Sequence, residues 1–325
     1  MPRTRKPRAG SLQFWPRVRS RYSYPRIRNW KKYNQAKPLG FAGYKVGMTH
    51  VMIYDTRQYS LTKGSDIFCP VTIVECPPLI ASSIRYYKKR INGSNTLVSE
   101  IISTSITKEL GRKIIIPKKG GKGVEDFDFV RLLCHTQPKF TCLGKKKPEI
   151  FEMAIGGNRD EQYNYTKEKL GKEINVNEVF KEGQLLDAHS ITRGKGFQGP
   201  IRRFGIQLRH HKSEKSRRNP GSLGPWKSQG HVMWRVAHAG KMGYHLRTEY
   251  DKWLVKIGNK PDEINTQGGF VHYGVVKNPY ILIKGSIGGT QKRLIRLTEA
   301  MRPKSVIVND APQITYVSTE SKQGN

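Results

Sequence analysis

Gly194-Lys195-Gly196-Phe197-Gln198-Gly199 has the G-x-G-x-x-G spacing that lets backbone amides approach a dinucleotide pyrophosphate at a strand–helix turn. Glu214 lies twenty residues past Gly194, about where a ribose-binding acid is sought. The context argues against that chemistry. Pro200, Arg202 and Arg203 follow at once, no βαβ pattern surrounds the glycines, and Glu214 sits in a basic stretch. The segment reads better as a Gly-rich turn that brings amides close to phosphate, with Lys195, Arg202 and Arg203 around it. Lys118-Lys119-Gly120-Gly121-Lys122-Gly123 lacks the spacing of a Walker loop. Among the histidines, His210 and His211 are adjacent and cannot easily face one ion, and His238 and His245 are seven apart in a Gly-containing loop. No carboxylate cluster accompanies them, and the surrounding cations oppose a bound metal. Cys69, Cys76, Cys134 and Cys142 form no Cys-x-x-Cys, and their spacings do not suit zinc, so they read as small apolar residues in a reducing compartment. Glu125, Asp126 and Asp128 follow a Gly-rich turn and read as surface charge. No catalytic residue, metal or cofactor is expected.

The charge is more decisive. The chain of 325 residues holds 59 Lys or Arg against 25 Asp or Glu, a formal net charge of +34. Self-repulsion on that scale calls for a polyanion, and counterion release makes nucleic acid the best candidate. A membrane surface competes poorly, because no apolar run approaches about 18 residues and no lipidation motif is present. The basic start lacks the apolar stretch of a secretory signal, and its prolines and Trp argue against a transit peptide. Residues 1–54 carry thirteen basic residues and no acid. Residues 193–247 carry thirteen more and one acid, Glu214. Between them, residues 105–177 hold fifteen basic and ten acidic residues, an ordinary surface.

Both basic blocks contain residues suited to RNA. In the first, Arg3, Arg5, Arg8, Arg17, Arg19, Arg21, Arg26 and Arg28 are interleaved with Phe14, Trp15, Tyr22, Tyr24 and Trp30. Guanidinium groups pair with phosphate, and both groups stack on unpaired bases; the alternative is that the aromatics dock the arm on its own domain. In the second, Lys195, Arg202, Arg203, Arg209, His210, His211, Lys212, Arg217, Arg218, Lys227, Arg235, Lys241, His245 and Arg247 are the candidates, with Trp226 either a stacking tip or a local clasp.

The elements that must position these residues are short. Pro2, Pro7, Pro16, Pro25 and Pro38 keep residues 1–38 from any regular period, which predicts an extended arm. Strands are expected over 40–46 and 51–55 around a Gly-Met-Thr turn, and over 70–75. A hairpin of 79–87 and 96–103 is expected around Asn92-Gly93. Further strands are expected over 127–135, 150–154, 270–276, 280–287, 293–297, 305–308 and 313–317, with a helix over 160–171. Residues 205–247 lack periodicity and read as a basic finger ordered by a partner.

Several motifs together resemble one family. Phe180, Asp187, Ser190, Thr192, Gly194, Lys195, Gly196, Gly199 and Arg203 fall at the spacing of the signature of the universal large-subunit ribosomal protein "L three". The stretches 44–49, 224–226 and 243–249 resemble its N-terminal core motif, finger tip and return strand. The start resembles the archaeal and eukaryotic branch. The resemblance implies a mainly β fold: a six-stranded translation-factor-type β-barrel (39–104 and 178–325) with an α/β insertion (105–177), a basic arm (1–38) and a central finger (205–247). It implies early binding to large-subunit rRNA, contact with neighbouring ribosomal proteins, and a finger whose Trp226 tip approaches the peptidyl-transferase region, with Arg218 linking it to the factor-binding side. Eukaryotic members carry a methylatable His twelve positions before that Trp; Glu214 stands there in this chain, so the modification is not carried over. The expected protein is cytoplasmic, binds neither DNA nor membrane, and is not a homo-oligomer. An enzyme acting on nucleic acid would need clustered acids or a cofactor loop, and a chromatin binder would not need two basic, aromatic extensions.

Overall fold

The computed structural model describes residues 8–105, 107–117, 121, 123–124, 126–224, 230–303 and 310–321. The chain is mainly β and gathers into two compact units, Met1–Tyr22 with Ile191–Leu246, and Ser23–Ser190 with Arg247–Asn325. In chain order the strands are β1 (Gly40–Tyr54), β2 (Asp66–Glu75), β3 (Leu79–Lys89), β4 (Asn95–Ile102), β5 (Phe129–His135), β6 (Ile150–Ala154), β7 (Glu173–Ile174), β8 (Leu185–Ile191), β9 (Phe197–Gln198), β10 (Gly240–Lys241), β11 (Leu246–Gly258), β12 (Tyr280–Lys284), β13 (Leu294–Glu299) and β14 (Ile314–Val317). The α-helices are α1 (Arg159–Lys169), α2 (Val176–Val179) and α3 (Pro200–Phe204).

In the larger unit, hydrogen-bonded pairings run from β1 through β2, β12, β11, β8 and β13 and return to β1, with β14 added on β1. The turn expected at Gly47-Met48-Thr49 does not form. Instead β1 continues for fifteen residues. A register shift against β2 between Lys45 and Gly47 supplies one extra residue, which bends the strand rather than reversing it. The two halves of β1 therefore meet different partners: Gly40–Tyr44 pairs with β13, and Val51–Ile53 with β14. Gly43 permits the close packing of β1 on β2, because a Cβ there would lie 2.7 Å from the Glu75 carbonyl oxygen and 2.7 Å from a Val74 methyl. Phe41, Tyr44, Val46, Ile73, Leu282, Ile295 and Leu297 lie in the buried core.

A second sheet follows the order β4-β3-β5-β6, with β7 on β3. The β3–β4 hairpin forms around Asn92-Gly93 as expected, and Gly93 takes φ +75°. The expected helix is α1; Asn158 and Glu161 form a capping box, with acids in the first turn and Lys167 and Lys169 in the last. Its Tyr163 packs beside Tyr86 and Phe127 of the core.

Two differences from the sequence reading have physical causes. Residues 270–276 form turns with one isolated bridge, Phe270 to Gly274, rather than a strand. They are held by a side chain, since the buried Glu75 carboxylate accepts from the Tyr273 hydroxyl and the Lys277 and Asn278 amides. Strand β8 was not foreseen, and β11 only at its start, through the resemblance of 243–249 to a return strand. In β11, polar and charged residues interrupt any alternation, and Asp251 sits at φ +53° in mid-strand. The strand expected over 305–308 lies outside the described residues. All four cysteines are unpaired; Cys69, Cys76 and Cys134 are buried, and burial pushes the Cys134 thiol up to about 12.

In the smaller unit, β9 pairs with β10 and α3 ends at Gly205 in the left-handed region. Between α3 and β10 the described residues contain no further helix or strand.

Candidate nucleic-acid interface

By sequence the smaller unit holds nineteen Lys or Arg and one acid, Glu214. Its cations divide into those that hold the arm to the loop and those that face outward. Trp15 belongs to the first group. Its ring stacks on Phe204 at 5.2 Å and meets Trp234 edge-on at 5.9 Å. Arg17 lies over Phe204 at 4.2 Å and donates from Nη1 to the Arg203 carbonyl at 2.5 Å. Arg203 returns the bond, donating from Nη2 to the Arg17 carbonyl at 3.0 Å, and also reaches the carbonyls of Lys241 and His238. Arg8 donates to the Arg235 carbonyl at 2.6 Å, and the buried His245 ring bonds the Val18 carbonyl at 2.7 Å through Nδ1. Burial lowers the pKa of Arg17 and Arg203, and for Arg203 the neighbouring Arg17 adds to the effect. Backbone carbonyls, which carry only partial charge, are thus what hold these guanidinium groups side by side. The Gly-rich turn also spends part of its backbone internally: Lys195 N–H donates to the Met242 carbonyl, and Met242 N–H to the Gly196 carbonyl.

Arg19, Arg21, Lys195, Arg202, Arg209, His210, His211, Lys212, Arg217, Arg218, Arg235 and Lys241 are exposed. Among the described residues none of these Lys or Arg side chains is in an ion pair. His210 and His211 have ring centroids 4.1 Å apart. Arg247 is half-buried on β11. Arg3, Arg5, Trp226 and Lys227 lie outside the described residues.

In the larger unit, residues 23–38 form an extended strap. Pro25 and Ile27 are buried while Arg26 and Arg28 alternate outward. The strap is pinned by Arg296, which is 4 % exposed and donates to the carbonyls of Glu152 at 2.6 Å and Pro25 at 3.4 Å while packing over Phe151. Burial lowers the Arg296 pKa to about 9.

The profile of the family described as "Ribosomal protein L3" matches residues 1–324. The chain belongs to the ribosomal protein L3 family. The protein named large ribosomal subunit protein uL3 of Methanocaldococcus jannaschii is similar at 46 % identity over 330 residues, 98 % of each chain. That of Methanobrevibacter smithii is 45 % identical over the full length of both chains, and that of Archaeoglobus fulgidus 45 % identical over 98 % of each. L3 family members are structural, non-enzymatic proteins of translation, in keeping with the reading that gave this chain no catalytic residue.

Trp15 takes the alternative that the sequence reading kept open, docking the arm, while the internal roles of Arg203 and His245 escaped it because their partners lie far along the chain; Arg17 and Arg203 are 186 residues apart. Replacing Trp15 by Ala removes both ring contacts and is expected to cost about 3 kcal/mol of local stability. Hydrogen exchange checks this: the Ser20 amide, bonded to the Tyr244 carbonyl at 2.7 Å, is expected to exchange on the order of 100-fold faster. Unchanged protection would assign Trp15 no such role.

Proposed function

We propose that this chain is a structural constituent of the large ribosomal subunit in the cytoplasm, where it binds large-subunit rRNA. The observation that carries the reading is the smaller unit, with nineteen cations to one acid, many of them exposed without an ion pair among the described residues. Neutralising such a surface with phosphate releases counterions and relieves its self-repulsion. In this reading Arg19, Arg21, Arg26, Arg28, Lys195, Arg202, Arg209, Lys212, Arg217, Arg218, Arg235, Lys241 and Arg247 are the phosphate contacts. Arg3, Arg5 and Lys227 extend that set. Arg8, Arg17, Arg203, Trp15 and His245 act by positioning it. His210 and His211 stack or hydrogen-bond, and Trp226 is the tip that supports the peptidyl-transferase region.

The chain nucleates assembly through its basic arm (1–38) and finger (205–247), carried on a six-stranded translation-factor-type barrel with an α/β insertion at 105–177. It acts beside neighbouring ribosomal proteins, without DNA or membrane and without forming a homo-oligomer. The ring of six strands supports the barrel, and the separate sheet bearing α1, to which β3 and β4 of 79–102 also belong, supports an α/β part beside it.

Sucrose-gradient sedimentation of cell lysate at moderate and high salt tests the reading. The chain is expected to travel with the large subunit and resist the high-salt wash. Finding it at the top of the gradient, or with DNA, would overturn it. With purified rRNA, the triple variant Arg209→Ala/Arg217→Ala/Arg218→Ala is expected to flatten the slope of log K against log salt by roughly 2 to 3.

A further inference from the structure

In the larger unit, β12 and β13 are joined by the loop Gly285-Ser286-Ile287-Gly288-Gly289-Thr290-Gln291-Lys292-Arg293. Two lysines hold its carbonyls. Lys45 of β1 is buried, and its ammonium donates to the carbonyls of Ile287 and Gly289, the latter at 3.2 Å. No acid forms an ion pair with Lys45 among the described residues. Burial lowers its pKa, against an opposing pull from Glu249. Lys252 of β11 donates to the Ser286 carbonyl at 2.8 Å. With these carbonyls committed to lysines, the polarity left to the loop is that of its amides. The Gly288 amide donates to Glu249 Oε1 at 2.8 Å, and Glu249 is itself paired with Lys252 at 2.9 Å. The amides of Gly289, Thr290 and Gln291 have no acceptor among the described residues, and all three residues are half-buried rather than sealed from solvent. Lys292 is exposed and has no ion pair among the described residues. It is held at φ +68°, with its amide on the Lys45 carbonyl at 2.8 Å. A non-Gly residue adopts that conformation only when its surroundings impose it.

We propose that this loop is a phosphate-binding site for the backbone of large-subunit rRNA, formed by the Gly289, Thr290 and Gln291 amides and the Lys292 ammonium. The proposal rests on the ribosomal reading above and adds to it a contact in the larger unit, apart from the arm and finger. Successive amides in a turn hold phosphate oxygens well, and a lysine beside them supplies the full charge. The Gly288 amide shows the same chemistry within the chain, since it already holds a carboxylate oxygen. The charges in and against the loop are Lys45, Lys252, Lys292 and Arg293, opposed by Glu249, which Lys252 neutralises, and by Glu320, which shares a small cleft with Gln291. That balance favours an anion. A carboxylate of a protein partner would suit the amides but little else. The exposed side chains of the loop are Ser286 and Lys292, and Ile287 is buried, so it offers no apolar anchor for a protein interface to cover.

Lys292→Gly tests the site, because it removes the ammonium at a position whose φ suits Gly and so separates binding from folding. The urea midpoint of the full chain is expected to stay the same or rise. With purified rRNA, the slope of log K against log salt is expected to flatten by about 1. Lys292→Arg is expected to keep the wild-type slope. In a second measurement p-benzoyl-phenylalanine replaces the exposed Ser286 in the full chain, and purified large subunits are irradiated. The expected product is a crosslink to rRNA. A slope that Lys292→Gly leaves unchanged, or a crosslink to a protein instead of rRNA, overturns the phosphate site and leaves the ribosomal reading standing, since the chain is then present in the subunit. Absence of the chain from purified large subunits overturns both.

Discussion

Acidification from pH 6.5 to about 4 is expected to remove roughly 5 kcal/mol of folding stability through two histidines, one buried and one half-buried. His135 is 2 % exposed; its Nδ1 bonds the Ser82 hydroxyl at 2.6 Å and its Nε2 the Thr107 hydroxyl at 3.1 Å. Burial lowers its pKa to about 4, against a weaker opposing pull from Glu109. His189 bonds Thr248 and Thr298 through its two ring nitrogens, and burial together with Arg296 lowers its pKa to about 4. Hydroxyls can serve either ring nitrogen as donor or acceptor, so a neutral imidazole is well satisfied in both places.

An unfolded His titrates near 6.5, so between about 6.5 and 4 the unfolded chain binds more protons than the folded one, and stability rises with pH. The stabilisation is whole above about 6.5 and gone below about 4, at roughly 1.4 kcal/mol per pH unit for each ring. Urea unfolding at pH 7.0 and 4.5 measures it. The double variant His135→Gln/His189→Gln is expected to lose most of the pH slope in that window. A slope equal to wild type would show that the two rings do not carry it. Asp55, whose carboxyl Arg57 holds well below the usual carboxylate range, contributes only at lower pH.

Glu75→Ala is expected to destabilise the larger unit by about 4 kcal/mol. The carboxylate is fully buried and no Lys or Arg side chain pairs with it among the described residues. Its oxygens are occupied by the Tyr273 hydroxyl, the Lys277 and Asn278 amides at 3.0 Å each, and Asn278 Nδ2 at 2.7 Å. Burial and the adjacent carboxylate push the Tyr273 phenol far above its ordinary value, so it remains a donor. Removing the carboxylate strands several buried donors at once, at about 1 to 3 kcal/mol each before relaxation. Glu75→Gln keeps the shape and one acceptor oxygen and is expected to cost about half as much. Unfolding midpoints in urea should therefore rank Ala below Gln below wild type. An Ala variant within about 1 kcal/mol of wild type would mean that the 270–278 turns hold without this carboxylate.

Much of this molecule was legible where a signal is local. Asn92-Gly93 announces its hairpin because a tight turn needs φ > 0 at that glycine, and α1 announces itself through its cap and end charges. Arg26 and Arg28 were read as RNA-facing from their charge, and the structure turns them outward on either side of the buried Ile27. The illegible parts depend on distant partners. Residues 270–276 resemble a strand in composition, but their fate is decided by Glu75, some 200 residues earlier. Gly47 suggests a turn until β2 takes up the extra residue as a bulge. Trp15 belongs to a stretch rich in Arg and aromatic residues, and nothing nearby in sequence distinguishes a base-stacking ring from one that stacks on Phe204.

The closure of β1 by β13 and β14 bears on how the chain is made. Gly40–Tyr44 emerges from synthesis some 250 residues before its partner in β13, and Val51–Ile53 as far ahead of its partner Ile314–Val317. Until then an apolar strand waits with one edge unpaired, in a nascent chain that is strongly cationic and surrounded by RNA. Folding of the ring therefore waits for its late strands and is slow for its size because of this long-range closure. The interval before closure is when a chaperone has most to protect.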